Sequence, residues 1–382
     1  QHWYHQYGEE GPFEAAVRYA EEYSEITDGV RVEVNWVPGD YFAALNAALL
    51  TDEAPDVFEL QTIDISRVQA GQLEPLDDLF EDVLDDFNPT AMERVTIDGT
   101  IYGVPMILDP QFIYYRVSAF EEAGIEVPQT MDDLIAAATA LDTGRVKGLY
   151  VGNDLGASNF LLYMTTLAAE TEFIADGTVM VNSPSNLLMW QKKQELADSG
   201  ALLVGAPTEW WDPSAFIDGL AQMQWSGLWA MPGIVDALGE DEVGVMPWPA
   251  VDADTNPSVF LGGWSQSVNA NSEHVEAAKD YVEWLWIENE EVQIDWNLSY
   301  GFHIPPRVST AEQADALSSG PAAAVLELVA SYGGTTPVTW TGAMDSIYTD
   351  AHSEVLLRGA DPAEQLALAN ERIQDELDAI SE

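Results

Sequence analysis

The sequence has 382 residues, with 13 Lys and Arg against 66 Asp and Glu, a formal net charge of −53. That balance excludes nucleic-acid binding by phosphate neutralisation, which needs clustered cations, and disfavours docking to an anionic membrane surface. It does not signal disorder, because 47% of the residues are hydrophobic, including 13 Trp, 14 Tyr and 12 Phe, enough for the cores of roughly two or three domains.

A charge of this size repels itself in dilute buffer, and molar salt screens the repulsion. The composition therefore points to a hypersaline environment, with carboxylates keeping the surface hydrated. The absence of cysteine excludes disulfides, thiolate metal sites and thiol catalysis within the chain. No apolar run approaches the ~20 residues of a membrane span. Gln1-His2-Trp3-Tyr4-His5 reads as the middle of a strand, from which we expect a removed export signal and linker and a lipid-anchored protein at the cell surface.

Along the chain, helical and strand patterns alternate, as in an α/β protein with largely parallel sheets. Phe13, Ala16, Val17, Ala20 and Tyr23 follow helical spacing. Val30, Val32, Val34 and Trp36 alternate as in a half-buried strand. Residues 41–50 read as a helix and 56–60 as a short strand. Ser183-Pro184 and Asp212-Pro213 place a capping side chain before a proline at the first helical position. Asp361-Pro362-Ala363-Glu364 has capping-box spacing, and Leu366, Ala369, Ile373, Leu377 and Ile380 form one apolar stripe of a C-terminal helix.

Several chemistries are missing. There is no Gly-x-Ser-x-Gly, no His-Glu-x-x-His, no P-loop and no Gly-x-Gly fingerprint. His2 and His5 are the only histidines close in sequence, and a metal site there is not expected. Asp252, Asp254 and Asn256 have the spacing of the first calcium-loop ligands, but Pro257 and Gly263 occupy its sixth and twelfth positions, which excludes that loop. Asn297-Leu298-Ser299 is the sole glycosylation-type triplet, permissive only. No cofactor or metal is called for.

Tryptophan is the informative residue. Aromatic faces against the C–H faces of a sugar, with carboxylates and amides taking its hydroxyls, make a site that needs no cation and survives high salt. Trp190, Trp284, Trp286 and Trp296 lie in helical stretches and read as core, as do Trp36 and Trp225 in strands; Trp248 fits either role. Trp229 and Trp264 lie in loop contexts that favour function.

Five segments, in order, resemble the extracellular solute-binding proteins that serve ABC importers, the sugar-binding group similar to maltose-binding protein. They are Ala54-Pro55-Asp56-Val57-Phe58; Ile97-Asp98-Gly99-Thr100-Ile101-Tyr102-Gly103-Val104-Pro105 with Ile113-Tyr114-Tyr115-Arg116; Phe216-Ile217-Asp218-Gly219 with Ser226-Gly227-Leu228-Trp229; Val243-Gly244-Val245-Met246-Pro247-Trp248-Pro249 with Gly262-Gly263-Trp264; and Ala277-Ala278 through Trp286 with Gly301-Phe302-His303-Ile304-Pro305. Each is weak alone; their order and spacing over nearly the whole chain carry the match.

The resemblance implies a two-lobed α/β fold of the type II periplasmic-binding-protein kind. The N-terminal lobe would comprise residues 1–109 plus 263–312 and the C-terminal lobe 110–262 plus 313–382, with crossovers near 108–111, 261–264 and 308–316. A ligand cleft would lie between the lobes and close on the ligand. The implied protein is a monomeric, non-enzymatic receptor that delivers a carbohydrate to transmembrane permease subunits. The implied ligand contacts are Tyr7 and Glu9 after the first strand, Gln61 and Asp64 after the strand through Phe58, and Asp109 at the first crossover. Ser158 and Asn159 open a helix in the second lobe. Trp211, Trp229, Gly263, Trp264, Trp340, Met344 and Asp345 complete the set. Asp64 is also a possible helix cap, Asp109 a hinge residue and Trp211 a packing residue. Arg67 and Arg307 are the only site cations the sequence offers, so a phosphorylated sugar is disfavoured. A polyamine or other cation receptor of the same architecture, and a secreted glycoside hydrolase using two carboxylates, remain open.

Overall fold

The structure is a computed structural model that describes residues 1–51 and 53–381, without the side chains of Asn159 and Ser381. The chain forms two compact units, Gln1–Asp109 with Gly262–Ala316, and Pro110–Leu261 with Leu317–Glu382. Two long strands, Val104–Arg116 and Val259–Val268, each contain a boundary between units. Among the described residues, no helix is long and apolar enough to cross a membrane.

In the first unit the strand His2–His5 lies between Val34–Val37 and Val57–Leu60, parallel to both, with Tyr4 opposite Trp36 and Trp3 opposite Phe58. The strand Val259–Val268 then runs antiparallel to Val57–Leu60, pairing Ser265 with Leu60. All four residues of Val57–Leu60 are buried, including Glu59. The helix Pro12–Ile26 starts after Gly11, whose φ of 106° suits glycine; a Cβ there would stand 2.5 Å from the Tyr300 ring. Its buried face is Ala15, Ala16, Tyr19, Ala20 and Tyr23. The expected stripe is thus rotated: Phe13 is 42% exposed and lies edge-on to Trp36 at 5.5 Å.

In the second unit Lys147–Tyr150 runs parallel to Ala221–Gly227. The far half of Val104–Arg116 is antiparallel both to Ala221–Gly227 and to Val243–Met246. The sheets are therefore mixed, not largely parallel; helix–strand alternation along a sequence does not reveal the direction of a strand that returns from another unit. Helices cover this sheet, and Trp190, Trp225, Trp248, Met189, Met223 and Tyr348 fill the core.

The helix starts follow the caps. Ser183 Oγ accepts from Asn186 N at 3.0 Å, and Asp361 Oδ1 accepts from Glu364 N at 2.9 Å. The third start falls one residue later than expected: Pro213, not Asp212, is the N-cap position of the helix Ser214–Ile217, and Asp212 Oδ1 accepts from Ser214 N at 2.8 Å from outside it. Leu366, Ala369, Ile373 and Leu377 of the C-terminal helix are buried. Asn297 is also buried, and its Nδ2 donates to the Gln293 and Met106 carbonyls at 2.8 and 3.2 Å, so the folded chain offers no amide there for a glycan.

Candidate functional site

In the first unit the candidate residues gather where the parallel strands end. Beyond His2–His5 the chain turns through Tyr7 and Glu9 into the helix Pro12–Ile26. Glu59 is the anchor beneath this turn. Its Oε2 accepts from the His5 backbone N–H at 2.8 Å and lies 2.7 Å from His5 Nδ1; its Oε1 accepts from the Tyr7 hydroxyl at 2.7 Å. A buried carboxylate is tolerated because these bonds satisfy it. Burial and the neighbouring Glu59 carboxylate push the Tyr7 hydroxyl pKa well up, so Tyr7 stays a donor.

The His5 ring positions Trp264. The two rings stack at 3.8 Å with 14° between planes, and Phe42 stacks on Trp264 at 5.8 Å and 10°. Trp264 remains half-buried. Gly263, its neighbour, has φ 134° and would place a Cβ 2.1 Å from the Ile107 carbonyl oxygen, so only glycine fits.

Charged groups lie close by. His303 is buried, with Nδ1 2.5 Å from Asp109 Oδ1 and Nε2 3.8 Å from Glu9 Oε1. Burial alone would lower its pKa; the Asp109 and Glu9 carboxylates outweigh that, and the net shift is upward. Arg94, also buried, donates through Nη2 to the Gly263 carbonyl at 3.0 Å and to the Gln61 carbonyl. Burial pushes its pKa down to about 10, with Asp109 opposing the shift.

Of the seven expected residues in this unit, Tyr7, Trp264, Glu9, Asp109, Gln61 and Gly263 are thus linked through Glu59, His5, His303 and Arg94. Asp64 caps the helix Ile65–Gln69, accepting from Ser66 N at 2.8 Å. Arg67 and Arg307 hold structural partners instead: Arg67 donates to Asn46 and Gln72, and Arg307 to Asp86 and the Ile287 carbonyl.

In the second unit tryptophans form a wall. Trp211 is 45% exposed, and its carbonyl accepts from Trp229 Nε1 at 3.0 Å. Trp210 stacks on buried Trp225 at 3.9 Å and meets Trp229 edge-on at 6.0 Å. Gly227 makes room for Trp229: a Cβ there would stand 1.9 Å from the indole. Ser158 is the N-cap position of the helix Asn159–Ala168; the side chain of Asn159 lies outside what the structure describes.

Trp340 is 6% exposed, packed edge-on against Phe173 and Tyr348, and Met344 is fully buried beside it in the core. Asp345 accepts from the Tyr163 hydroxyl.

Four residues central to this arrangement escaped the sequence reading, His5 among them, which read only as part of the first strand. Glu59 had a signal, a lone carboxylate inside an apolar strand. His303 lay within a segment noted for resemblance, without a role. Arg94 had no local signal at all.

The chain matches the family model of bacterial extracellular solute-binding proteins over residues 7–286. It is 23% identical over 266 residues to an arabinooligosaccharide-binding protein of Halalkalibacterium halodurans, a match covering 66% of this chain and 59% of that one. It spans 64% and 58% of two further curated relatives. Among solved structures, an ABC transporter solute-binding protein of Thermotoga lettingae bound with alpha-D-tagatose matches with TM-score 0.82 at 20% identity, covering 98% of each chain. The GacH receptor of Streptomyces glaucescens, solved unliganded and with acarbose, matches with TM-score 0.81 at 23% identity over 99% of this chain and 97% of that one. These likenesses establish the two-lobed α/β binding-protein fold.

Proposed function

Because the chain belongs to the family of bacterial extracellular solute-binding proteins, we propose that it is the receptor of an ABC importer, binding a neutral carbohydrate and delivering it to the transmembrane permease. The observation that carries the choice of ligand is charge balance in the first unit. Glu9 and Asp109 share His303, with Arg94 close to Asp109, and the third carboxylate, Glu59, is taken up by Tyr7 and His5. A site built for a polyamine would leave its carboxylates uncompensated. A phosphate site would present a cluster of arginines, whereas Arg94 is the one arginine of this group and its Nη2 is held by backbone carbonyls. What remains suits hydroxyl groups: carboxylate oxygens and the Tyr7 hydroxyl oxygen that accept, amides that donate, and aromatic plates for C–H faces.

In this reading Tyr7, Glu9, Gln61, Asp109, Gly263 and Trp264 are the sugar contacts of the first unit, and Ser158, Trp211, Trp229 and Asp345 those of the second. A state that the sugar favours by its differential affinity is one that a permease can read. The protein acts outside the cell, anchored by lipid, without turning its ligand over. The sugars and sugar analogue in the relatives' names support a carbohydrate ligand.

A thermal-shift screen at molar salt tests this. A saturating neutral mono- or oligosaccharide, at about 100 times its Kd, should add ~2.7 kcal/mol of stability, while putrescine and spermidine add nothing. A shift with polyamines alone would replace the reading by a cation receptor, and turnover of chromogenic glycosides by a hydrolase.

A further inference from the structure

The second unit holds a buried cation that the tryptophan wall does not use. Lys193, on the helix Pro184–Asp198, is 3% exposed. Burying an ammonium group is costly, so its partner matters. Its Nζ donates to the Gly156 carbonyl at 3.2 Å.

Gly156 belongs to the loop 152–158, which leads into the helix Asn159–Ala168 at Ser158. Leu155 in this loop has φ 60°, a left-handed conformation unfavourable for a branched side chain. The surroundings hold it there. Asp154 Oδ1 accepts from Gly156 N at 3.0 Å, and a Cβ on Gly156 would stand 2.6 Å from the Leu161 side chain, so the loop is pressed onto the helix it precedes. At its other end, a Cβ on Gly152 would stand 3.8 Å from Trp210 Cβ. The loop thus joins the tryptophan wall to the helix start, with Lys193 gripping it from beneath.

We propose that Lys193 is a positioning residue for ligand binding: its ammonium grips the Gly156 carbonyl and so holds the loop 152–158, with Ser158 and the helix start, in the conformation that meets the ligand. The effect on affinity rests on the sugar-binding reading above; the grip on the loop does not.

The grip depends on charge, because an ammonium donates more strongly than a neutral amine. Burial pushes the Lys193 pKa down to about 7, with Asp154 opposing. The titratable groups facing Lys193 are Asp154 from the loop and His352 from the helix Gly342–Arg358. Burial and Lys193 itself hold His352 well below its ordinary pKa, so it stays neutral. The helix Asn159–Ala168 carries no charged residue. Lys193 is therefore the group of this cluster that changes charge near neutrality. The grip is firm below about pH 7 and weakens above it. Its contribution to global stability runs the other way. The folded pKa lies below the unfolded one, so the unfolded chain binds more protons from about pH 7 to about pH 10, and that contribution rises with pH across this window. A lysine with only a structural role would show the second trend without the first.

The test compares the full chain with Lys193→Met at molar salt, from about pH 6 to about pH 8.5. Amide hydrogen exchange over 152–158 is measured without ligand, corrected for the intrinsic pH dependence, alongside the affinity for a neutral sugar. The wild-type loop should lose about tenfold in protection across this range, while Lys193→Met stays at the low level throughout. Sugar affinity should fall about tenfold in Lys193→Met and lose its pH dependence. Loop protection in Lys193→Met equal to wild type at low pH, or an unchanged affinity and pH profile with only the Tm altered, overturns the proposal. Asp154→Asn gives an independent arm: it removes the charge that raises the Lys193 pKa, so the midpoint of loop protection should move to lower pH, and an unmoved midpoint also overturns it. Loop protection that behaves as expected in a protein binding no sugar would uphold the grip and reject the sugar reading.

Discussion

His303 Nδ1 stands 2.5 Å from Asp109 Oδ1, both side chains are buried, and Glu9 approaches the other ring nitrogen at 3.8 Å. One imidazole therefore balances two carboxylates that would otherwise repel each other out of solvent. Its pKa is raised above the ordinary 6.5, so its ion pairing contributes fully below about pH 6.5 and is lost as pH rises through the folded value. His303→Gln keeps the size and removes the charge. The stability difference between wild type and His303→Gln should be largest in mild acid and shrink towards alkaline pH, measured by urea unfolding across pH. A difference that grows with pH contradicts the assignment. Sugar affinity in the variant should fall about tenfold, ~1.4 kcal/mol.

Gly227 and Trp229 form a second dependent pair. A methyl at 227 overlaps the indole, which must swing away from its bond to the Trp211 carbonyl. Gly227→Ala and Trp229→Ala should both weaken sugar binding by ~1–3 kcal/mol, because both remove the same aromatic face. Calorimetric titration checks this. Unchanged affinity with a lowered Tm would make Trp229 a packing residue.

Gly263 combines φ 134° with a carbonyl oxygen 2.1 Å from the missing Cβ. Gly263→Ala forces the Val259–Val268 strand away from Ile107 and disturbs the carbonyl that Arg94 holds. A loss of roughly 2–4 kcal/mol in denaturant unfolding is expected. A loss under about 0.5 kcal/mol would show that the strand shifts freely.

The charge of −53 predicts salt dependence. Raising salt from about 0.1 M to several molar should raise the Tm steadily, as screening removes self-repulsion. A flat or falling Tm in thermal unfolding would remove the hypersaline reading and leave an ordinary acidic protein.

Local features were legible in the sequence because local physics sets them. Ser183 and Asp361 cap where a capping residue precedes proline, and the 366–377 stripe is buried because its spacing matches a helix. Trp190, Trp286 and Trp296 are core, as helical context implied, whereas Trp284 and the strand residue Trp36, also expected there, are only half-buried. Phe13 shows the limit: spacing gives a face but not its rotation, and the buried stripe runs through Pro12, Ala15 and Tyr19 instead. The candidate site was legible as a scatter of residues and not as an arrangement. His5 stacks on Trp264, Arg94 donates to the Gly263 carbonyl and His303 meets Asp109, each pair far apart in sequence. Such pairs form only when strands distant in sequence become neighbours, which composition and periodicity do not encode. The antiparallel runs of Val104–Arg116 and Val259–Val268 were hidden for the same reason.

Calorimetric titration at molar salt of wild type, Trp229→Ala and Trp264→Ala, with neutral oligosaccharides and with putrescine, tests whether a neutral sugar binds against tryptophan faces. Wild type should bind a neutral sugar saturably, one to one, each variant about ten- to hundredfold more weakly, and putrescine should give no heat. Binding of putrescine with no heat from any neutral sugar would contradict it.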